Sequence, residues 1–544
     1  MSANQASANQ PPANRPAADQ AAANRPVADR RPGVDRQVVD RPPAGRAPGA
    51  PVPADQGPDP RRWRALAVIA VAQLMIVLDI TIVNIALPSA QKDLGISNGD
   101  RQWVITAYTL AFGGLLLLGG RIGDLFGRKR TFLTGLLGFA GASALGGAAV
   151  SPLMLFASRG LQGGFGALLA PSALGLLSTT FRDPKERSTA FGIFGAIAGG
   201  GSAIGFIAGG LLTEYLNWRW CLFVNVPIAI ATAIAASYLL RSDFIGKDTR
   251  VKLDLPGAFL GCGGLLAIVY GTSEAESRGW ADSLVLGCLF GGLALLLLFV
   301  LVERRTAHAL LPLHIVGDRN RGGAALSVGL AVVGLFGLFL FLTYYLQGIK
   351  GYSPVLTGVA FLPMTVAIIA SSTGLAARLM TRVPSRNLIV PGLLLAASGM
   401  AWLTQLKVDS PYAAMVLPAE LLLGAGMGLV FMPSMSLATL GVAPRETGAA
   451  AATINSAQQV GGSIGTALLN TIAASATTAY LVGRNGASKL VQSTAAVHGY
   501  AVATYVALGV LLFAAVLAFF MVNHRPDPSE GAGEGAESTV HAAV

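Results

Sequence analysis

The sequence predicts an all-α polytopic membrane protein of about fourteen spans, arranged as two six-helix bundles with two additional central helices between them. Three observations predict it. Over 544 residues the mean hydropathy is +0.58, with 53% hydrophobic and only 12% charged residues, too apolar for a soluble chain of this length. Apolar runs of about 20 residues, enough to cross a bilayer as a helix, recur from residue 65 onward. Finally, Gly164-Phe-Gly-Ala-Leu-Leu-Ala-Pro-Ser172 reads again as Gly426-Met-Gly-Leu-Val-Phe-Met-Pro-Ser434, and basic loops follow both, at Pro184 to Arg187 and at Pro444-Arg445. Mapping the fourth run onto the twelfth makes each repeat six helices long and leaves the seventh and eighth as an insertion.

The chain opens with a tail over 1–63 rich in Ala, Pro, Arg, Asp and Gln, which lacks the apolar surface needed to fold. It is not expected to be a signal peptide, because the first apolar run begins only after Arg61, Arg62 and Arg64 and is too long for a cleaved segment. Spans are predicted near 65–88, 102–120, 131–150, 152–178, 188–211, 221–240, 256–273, 282–302, 322–346, 353–377, 387–405, 411–437, 447–473 and 499–522. The domains are then a first bundle over 64–242, two linker helices over 243–305, a second bundle over 306–523 and a tail over 524–544. Loops after even-numbered spans are the basic ones, with Arg121 to Arg130, Arg182 to Arg187, Arg241 to Lys252, Arg304 to Arg321, Arg378 to Arg386 and Arg445. Under the positive-inside rule both termini are cytoplasmic. That bias accounts for the net charge of +11 better than nucleic acid does.

The densest polar break is Gly119-Gly120-Arg121-Ile122-Gly123-Asp124-Leu125-Phe126-Gly127-Arg128-Lys129-Arg130. Its glycines permit a tight turn and close helix approach. Its four bases mark the cytoplasmic end, and Asp124 is placed to meet a helix N-terminus or a neighbouring arginine. An ordinary basic loop would have the same composition. A weaker echo lies at Arg378, Arg382, Pro384 and Arg386, with Thr381 where Asp124 stands in the first half.

Few ionisable residues lie inside the apolar runs. Asp79, in Leu78-Asp-Ile-Thr-Ile-Val-Asn-Ile-Ala-Leu-Pro88, is a proton-site candidate, since burial in an apolar span disfavours the charged form. The alternative is an acid permanently bonded to Thr81 or Asn84. Arg159, in Arg159-Gly-Leu-Gln162-Gly163, falls at similar depth at 1.5 Å per residue, so the two are expected to pair; the alternative is an arginine snorkelling to the interface. Gly201, Gly205, Gly209 and Gly210 form a packing face on the fifth span. Glu420, in the twelfth span, is either a second proton or cationic-drug site or a packing residue. Gln73, Asn84, Gln162, Gln458 and Gln459 are candidates to line a substrate cavity with it. Trp218, Trp220 and Asn225 read as markers of an interfacial segment.

Other chemistry is unsupported. No Gly-x4-Gly-Lys-Ser/Thr exists, because Gly246-Lys247 lacks both the upstream glycine and the following hydroxyl, so ATP is not the expected fuel. The 5 histidines and scattered acids suggest no metal site, and Cys221, Cys262 and Cys288 read as small core hydrophobes. No cofactor and no enzymatic activity are expected.

These motifs carry a resemblance. Gly120, Asp124, Gly127, Arg128, Lys129 and Arg130 match the loop between spans two and three of the major facilitator superfamily, which in that family helps hold one of two access states. The first-span pattern around Asp79, together with Arg159, Gln162 and Gly163, resembles the fourteen-span drug:proton antiporters of the EmrB/QacA type. So do Gly201, Gly205, Gly209 and Gly210, with Phe206 replacing the family's proline, and the segment Asn217 to Pro227. The resemblance implies a major facilitator fold in a bacterial cytoplasmic membrane, working as a monomer. It implies export of hydrophobic drugs or antibiotics, cationic ones included, in exchange for protons, with Asp79 and Arg159 in proton coupling and the proton gradient as the energy source. A facilitator for a native metabolite or siderophore, and a membrane-anchored sensor, are the two rival readings.

Overall fold

A computed structural model describes residues 60–181, 183–240, 254–306, 313–380, 382–440, 442, 447–484 and 488–523. The tails over 1–59 and 524–544, basic-loop residues such as Arg182, Lys247 and Arg445, and Thr381 lie outside that set. Among the described residues all regular structure is helical. Fourteen main segments follow in order: α1 Arg62–Leu94, α2 Trp103–Phe126, α3 Arg128–Gly147, α4 Pro152–Thr180, α5 Pro184–Tyr215, α6 Asn225–Leu239, α7 Leu255–Arg278, α8 Ser283–Arg305, α9 Arg319–Tyr344, α10 Pro354–Leu379, α11 Arg386–Leu403, α12 Tyr412–Thr439, α13 Thr447–Leu481 and α14 Lys489–Met521. Among the described residues eleven segments are long and apolar enough to cross a membrane. The other three, α3, α5 and α13, are rich in Gly, Ala, Ser and Thr, which lowers hydropathy and suits helices that pack against helices.

Local chemistry sets the ends. Helix α1 runs through Pro88 to Leu94, a turn and a half beyond the predicted end, and stops at Gly95 in the left-handed region (φ 65°). Ser151 accepts from the Met154 amide with Pro152 following, which starts α4, and Asp318 caps α9 the same way. The glycine-rich break is shorter than the sequence suggests. Gly119, Gly120 and Gly123 lie within α2, and Gly127 alone separates α2 from α3, at φ 93° and ψ 132°, where a side chain would be strained. Gly119 serves a different purpose, its α-carbon lying against the Ala167 carbonyl of α4.

In the first half of the chain, α4 packs on α2 and α3, and α1 on α5; in the second, α11 packs on α12, and α13 and α14 pack on each other and on α9. Helices α7 and α8 pair, and α7 also lies along α2 and α13, where the halves meet. Three of the motif glycines let α5 approach α1, with Gly201 against Leu74 and Val77, Gly205 against Thr81, and Gly209 against Ile82. Gly210 faces the other half, at Pro354 and Val355.

Candidate functional site

Helices α1 and α4 carry the two charges that the apolar pattern singled out, and the fold brings them together. Asp79 is 0% exposed and Arg159 2%. Arg159 Nη1 donates to Asp79 Oδ2 at 2.7 Å and to Gln162 Oε1 at 2.6 Å, and its Nε donates to the Val104 carbonyl at 3.0 Å. Its guanidinium lies over the Tyr108 ring, 4.5 Å from the centroid. The second carboxylate oxygen, Asp79 Oδ1, accepts from Gln162 Nε2 at 2.7 Å and Asn225 Nδ2 at 2.8 Å. Ser143 Oγ, 3.1 Å from both amide nitrogens, accepts from them and donates to the Leu222 carbonyl at 2.8 Å.

Every polar contact of the Asp79 carboxylate is therefore with a donor. Two charges removed from water cost several kcal/mol each in desolvation, which their attraction offsets only with complete hydrogen bonding, so stability alone does not explain the pair. Thr81 and Asn84 are not its partners. They bond backbone carbonyls on their own helix, Thr81 to Val77 and Leu78, and Asn84 to Ile80. Nor does Arg159 snorkel, since it is enclosed.

Sequence reasoning missed Asn225 and Ser143. Asn225 sits in a segment that read as a marker, and Ser143 is one small residue in a helix full of them. The polarity of Asn225 at the start of an apolar run was the available signal.

The other candidates are dispersed. Asn84 is buried, Gln459 lies against Gly113 of α2, and Gln73 and Gln458 are half-buried, without a hydrogen bond to any described residue. Glu420 is buried in α12 beside Tyr412. In the Gly127 loop, Arg128 pairs with Asp124 at 3.2 Å and donates to the Gly175 carbonyl of α4. Lys129 donates to the Ser237 and Leu240 carbonyls at the end of α6, and Arg130 is exposed. Among the described residues no group of three or more His, Cys, Asp and Glu side chains is placed to hold a metal.

A polar and aromatic seam joins the halves at the end carrying the odd-numbered connections. Arg101 Nε donates to Asn470 Oδ1 at 2.9 Å, Asn470 donates to Gln102 at 2.6 Å, and Gln102 to Ser273 at 2.7 Å. Gln347 Nε2 donates to the Ile85 carbonyl, and Glu214 accepts from the Val355 amide at 3.0 Å. Phe206, where a proline was expected, packs its ring against Phe361 (5.1 Å) and Phe339 (5.4 Å) in the other half, and α5 runs through it without a break.

Fold and site together define a multi-pass, all-helical membrane protein with a charge pair buried between its spans. Residues 69–466 match the family described as Major Facilitator Superfamily, and the chain belongs to that family of transporters. It is 57% identical over 485 residues to the puromycin resistance protein pur8 of Streptomyces alboniger, covering 89% of this chain and 96% of that one. It is 39% identical to the cephamycin export protein CmcT of Amycolatopsis lactamdurans, over 76% of this chain and 85% of the other. Among solved structures, the POT family transporter PepTSo aligns with a TM-score of 0.61 at 15% identity, covering 84% of this chain and 97% of that one. A bacterial homologue of the lysosomal transporter Spinster in an inward-facing conformation aligns at 0.59 and 17% identity, over 86% and 98%. At those identities the structural likeness speaks to the fold.

Proposed function

We propose that this chain is a fourteen-span proton-coupled antiporter that exports hydrophobic antibiotics or drugs, cationic ones included, across a bacterial cytoplasmic membrane by alternating access. The observation that carries the reading is the Asp79–Arg159 pair, since an ionisable pair at this depth in a transporter is the ordinary device for moving protons. In this conformation Asp79 is sealed from water. Exchange therefore requires a second state in which α1, α4 and α6 separate enough for water to reach the carboxylate. Protonation removes the charge that Arg159, Gln162 and Asn225 hold, which loosens the site and couples proton arrival to rearrangement.

The basic even-numbered connections support a reading with both termini in the cytoplasm and the odd-numbered seam outside. The first bundle is taken as 64–242, the linker pair as 243–305 and the second bundle as 306–523, working as a monomer. Relatives named for puromycin resistance and cephamycin export support an antibiotic substrate. The test is flux of puromycin into proteoliposomes under an imposed pH gradient. Uptake that follows the gradient and collapses with a protonophore supports the reading. Gradient-independent flux, or no flux of puromycin or other antibiotics, counts against it.

A further inference from the structure

Glu420 stands in the first turn after the π-helical start of α12 and is 0% exposed. Its surroundings are the opposite of those around Asp79. Glu420 Oε1 is buried without a hydrogen-bond partner, and among the described residues no cation pairs with the carboxyl group. Oε2 has one polar neighbour, the Tyr412 hydroxyl at 3.2 Å. That hydroxyl also lies 2.7 Å from the Ala360 carbonyl oxygen, which can only accept. One hydroxyl hydrogen cannot serve both fully. The shorter contact draws that hydrogen away, which leaves Glu420 Oε2 with one weak donor. The packing around is apolar, with Gly399 of α11 against Ala419 and Leu423, and Met364 and Ala367 of α10 against Gly424. Tyr412, with Tyr352 beyond it, supplies the titratable side chains near the carboxyl. An ionised Glu420 here would be an uncompensated charge.

We infer that Glu420 is a second proton-carrying site, loaded in this conformation and housed in the half of the molecule opposite Asp79. The inference rests on the antiport reading above. Tyr412 is half-buried and follows Ser410 and Pro411 in the odd-numbered connection, so it is the polar group between Glu420 and that face of the protein. When the bundle rearranges, the carboxyl O–H bond breaks, the hydrogen ion passes to water in the open vestibule, and a carboxylate remains. In one and the same state Asp79 meets an arginine and two amide donors while Glu420 meets no cation among the described residues, so the two acids load and discharge at different points of the cycle.

The test uses the purified full-length protein. Infrared difference spectra at neutral pH compare wild type with Glu420→Gln and with Asp79→Asn. Protons released on puromycin binding are counted with a pH indicator in weak buffer. The expected result is a protonated-carboxyl C=O stretch in the wild type, lost in Glu420→Gln and kept in Asp79→Asn, with fewer protons released by the Glu420 variant. Loss of that band with unchanged proton release makes Glu420 a permanently neutral packing residue and overturns the proposal. A wild-type band unaffected by Glu420→Gln overturns it as well. If Asp79→Asn keeps its pH-driven flux while Glu420→Gln loses both band and coupling, the role given to Asp79 fails and this inference stands.

Discussion

Asn225, the first residue of α6, donates from Nδ2 to Asp79 Oδ1 at 2.8 Å, and with Gln162 it holds the oxygen that Arg159 leaves free. A charged group that loses one hydrogen bond in a buried site loses on the order of 1.5–3 kcal/mol of stabilisation. Asn225→Ala is expected to weaken coupling, so that less drug accumulates for a given pH gradient, while the protein still inserts. Uptake into inverted vesicles at a fixed gradient reads this. Unchanged accumulation would reduce Asn225 to a packing residue.

Arg159 uses a planar fork, with Nε on Val104 and Nη1 shared by Asp79 and Gln162. Lysine offers only a point charge, so Arg159→Lys is expected to fail in coupling although it keeps the sign. Arg159→Ala strands the buried carboxylate and is expected to cost roughly 3–5 kcal/mol. The neutral pair Asp79→Asn with Arg159→Gln should recover much of that stability without recovering coupling. Thermal unfolding in detergent, set beside pH-driven flux, separates the two effects.

The charge pair was legible in the sequence because an acid and a base inside apolar runs stand out against their neighbours, and counting residues placed them at one depth. Asn225 and Ser143 were not, because an uncharged polar residue in such a run has several ordinary explanations and its partner lies on a helix distant in sequence. The same holds for the seam, where Arg101 meets Asn470 across most of the chain length. Helix order was readable from hydropathy, whereas helix ends were not. The helices continue past the apolar stretch into water, as α1 does from Pro88 to Leu94 and as α14 does by starting at Lys489. The glycine-rich break misled for a related reason: glycine serves a turn at Gly127 and helix contact at Gly119, and composition does not separate these uses.

Gly205 has no room for a side chain, since a Cβ there would overlap the Thr81 hydroxyl, two residues from Asp79. Overpacking of this kind typically costs about 1–3 kcal/mol. Gly205→Ala is expected to lower the unfolding temperature and to weaken coupling by pushing α1 away from α5. Thr81→Ala in the same chain should recover part of the loss. No recovery would mean that the clash lies elsewhere.

Phe206 stacks with Phe361 at 5.1 Å, and Phe339 completes the cluster across the seam. Aromatic pairs of this geometry contribute about 0.5–1.5 kcal/mol each beyond burial. Phe206→Ala is therefore expected to favour opening of this end. Maleimide labelling of a Ser353→Cys reporter, with Cys262 and Cys288 replaced, should become several-fold faster at that value. Equal labelling rates would leave the cluster no part in closure.

Glu214 is exposed at the same seam, and its hydrogen bonds to the Ser353 hydroxyl and the Val355 amide hold its carboxyl below the usual carboxylate range. A group whose value is depressed in the closed state favours that state once pH exceeds its ordinary value, and the contribution disappears as pH falls through the lowered one. Acidification below the ordinary carboxylate range should therefore favour opening, read as greater solvent accessibility of a spin label on Leu356→Cys, which leaves the Ser353 hydroxyl intact, and Glu214→Gln should remove that acid dependence. A pH response that survives in Glu214→Gln would point to another group.

Whether Asp79 ties drug movement to proton movement is decided by puromycin accumulation by Asp79→Asn in proteoliposomes under an imposed pH gradient. The variant should insert correctly and equilibrate puromycin down its own gradient but not concentrate it when the pH gradient is applied. Accumulation that follows the pH gradient as steeply as in the wild type would contradict the coupling role of Asp79.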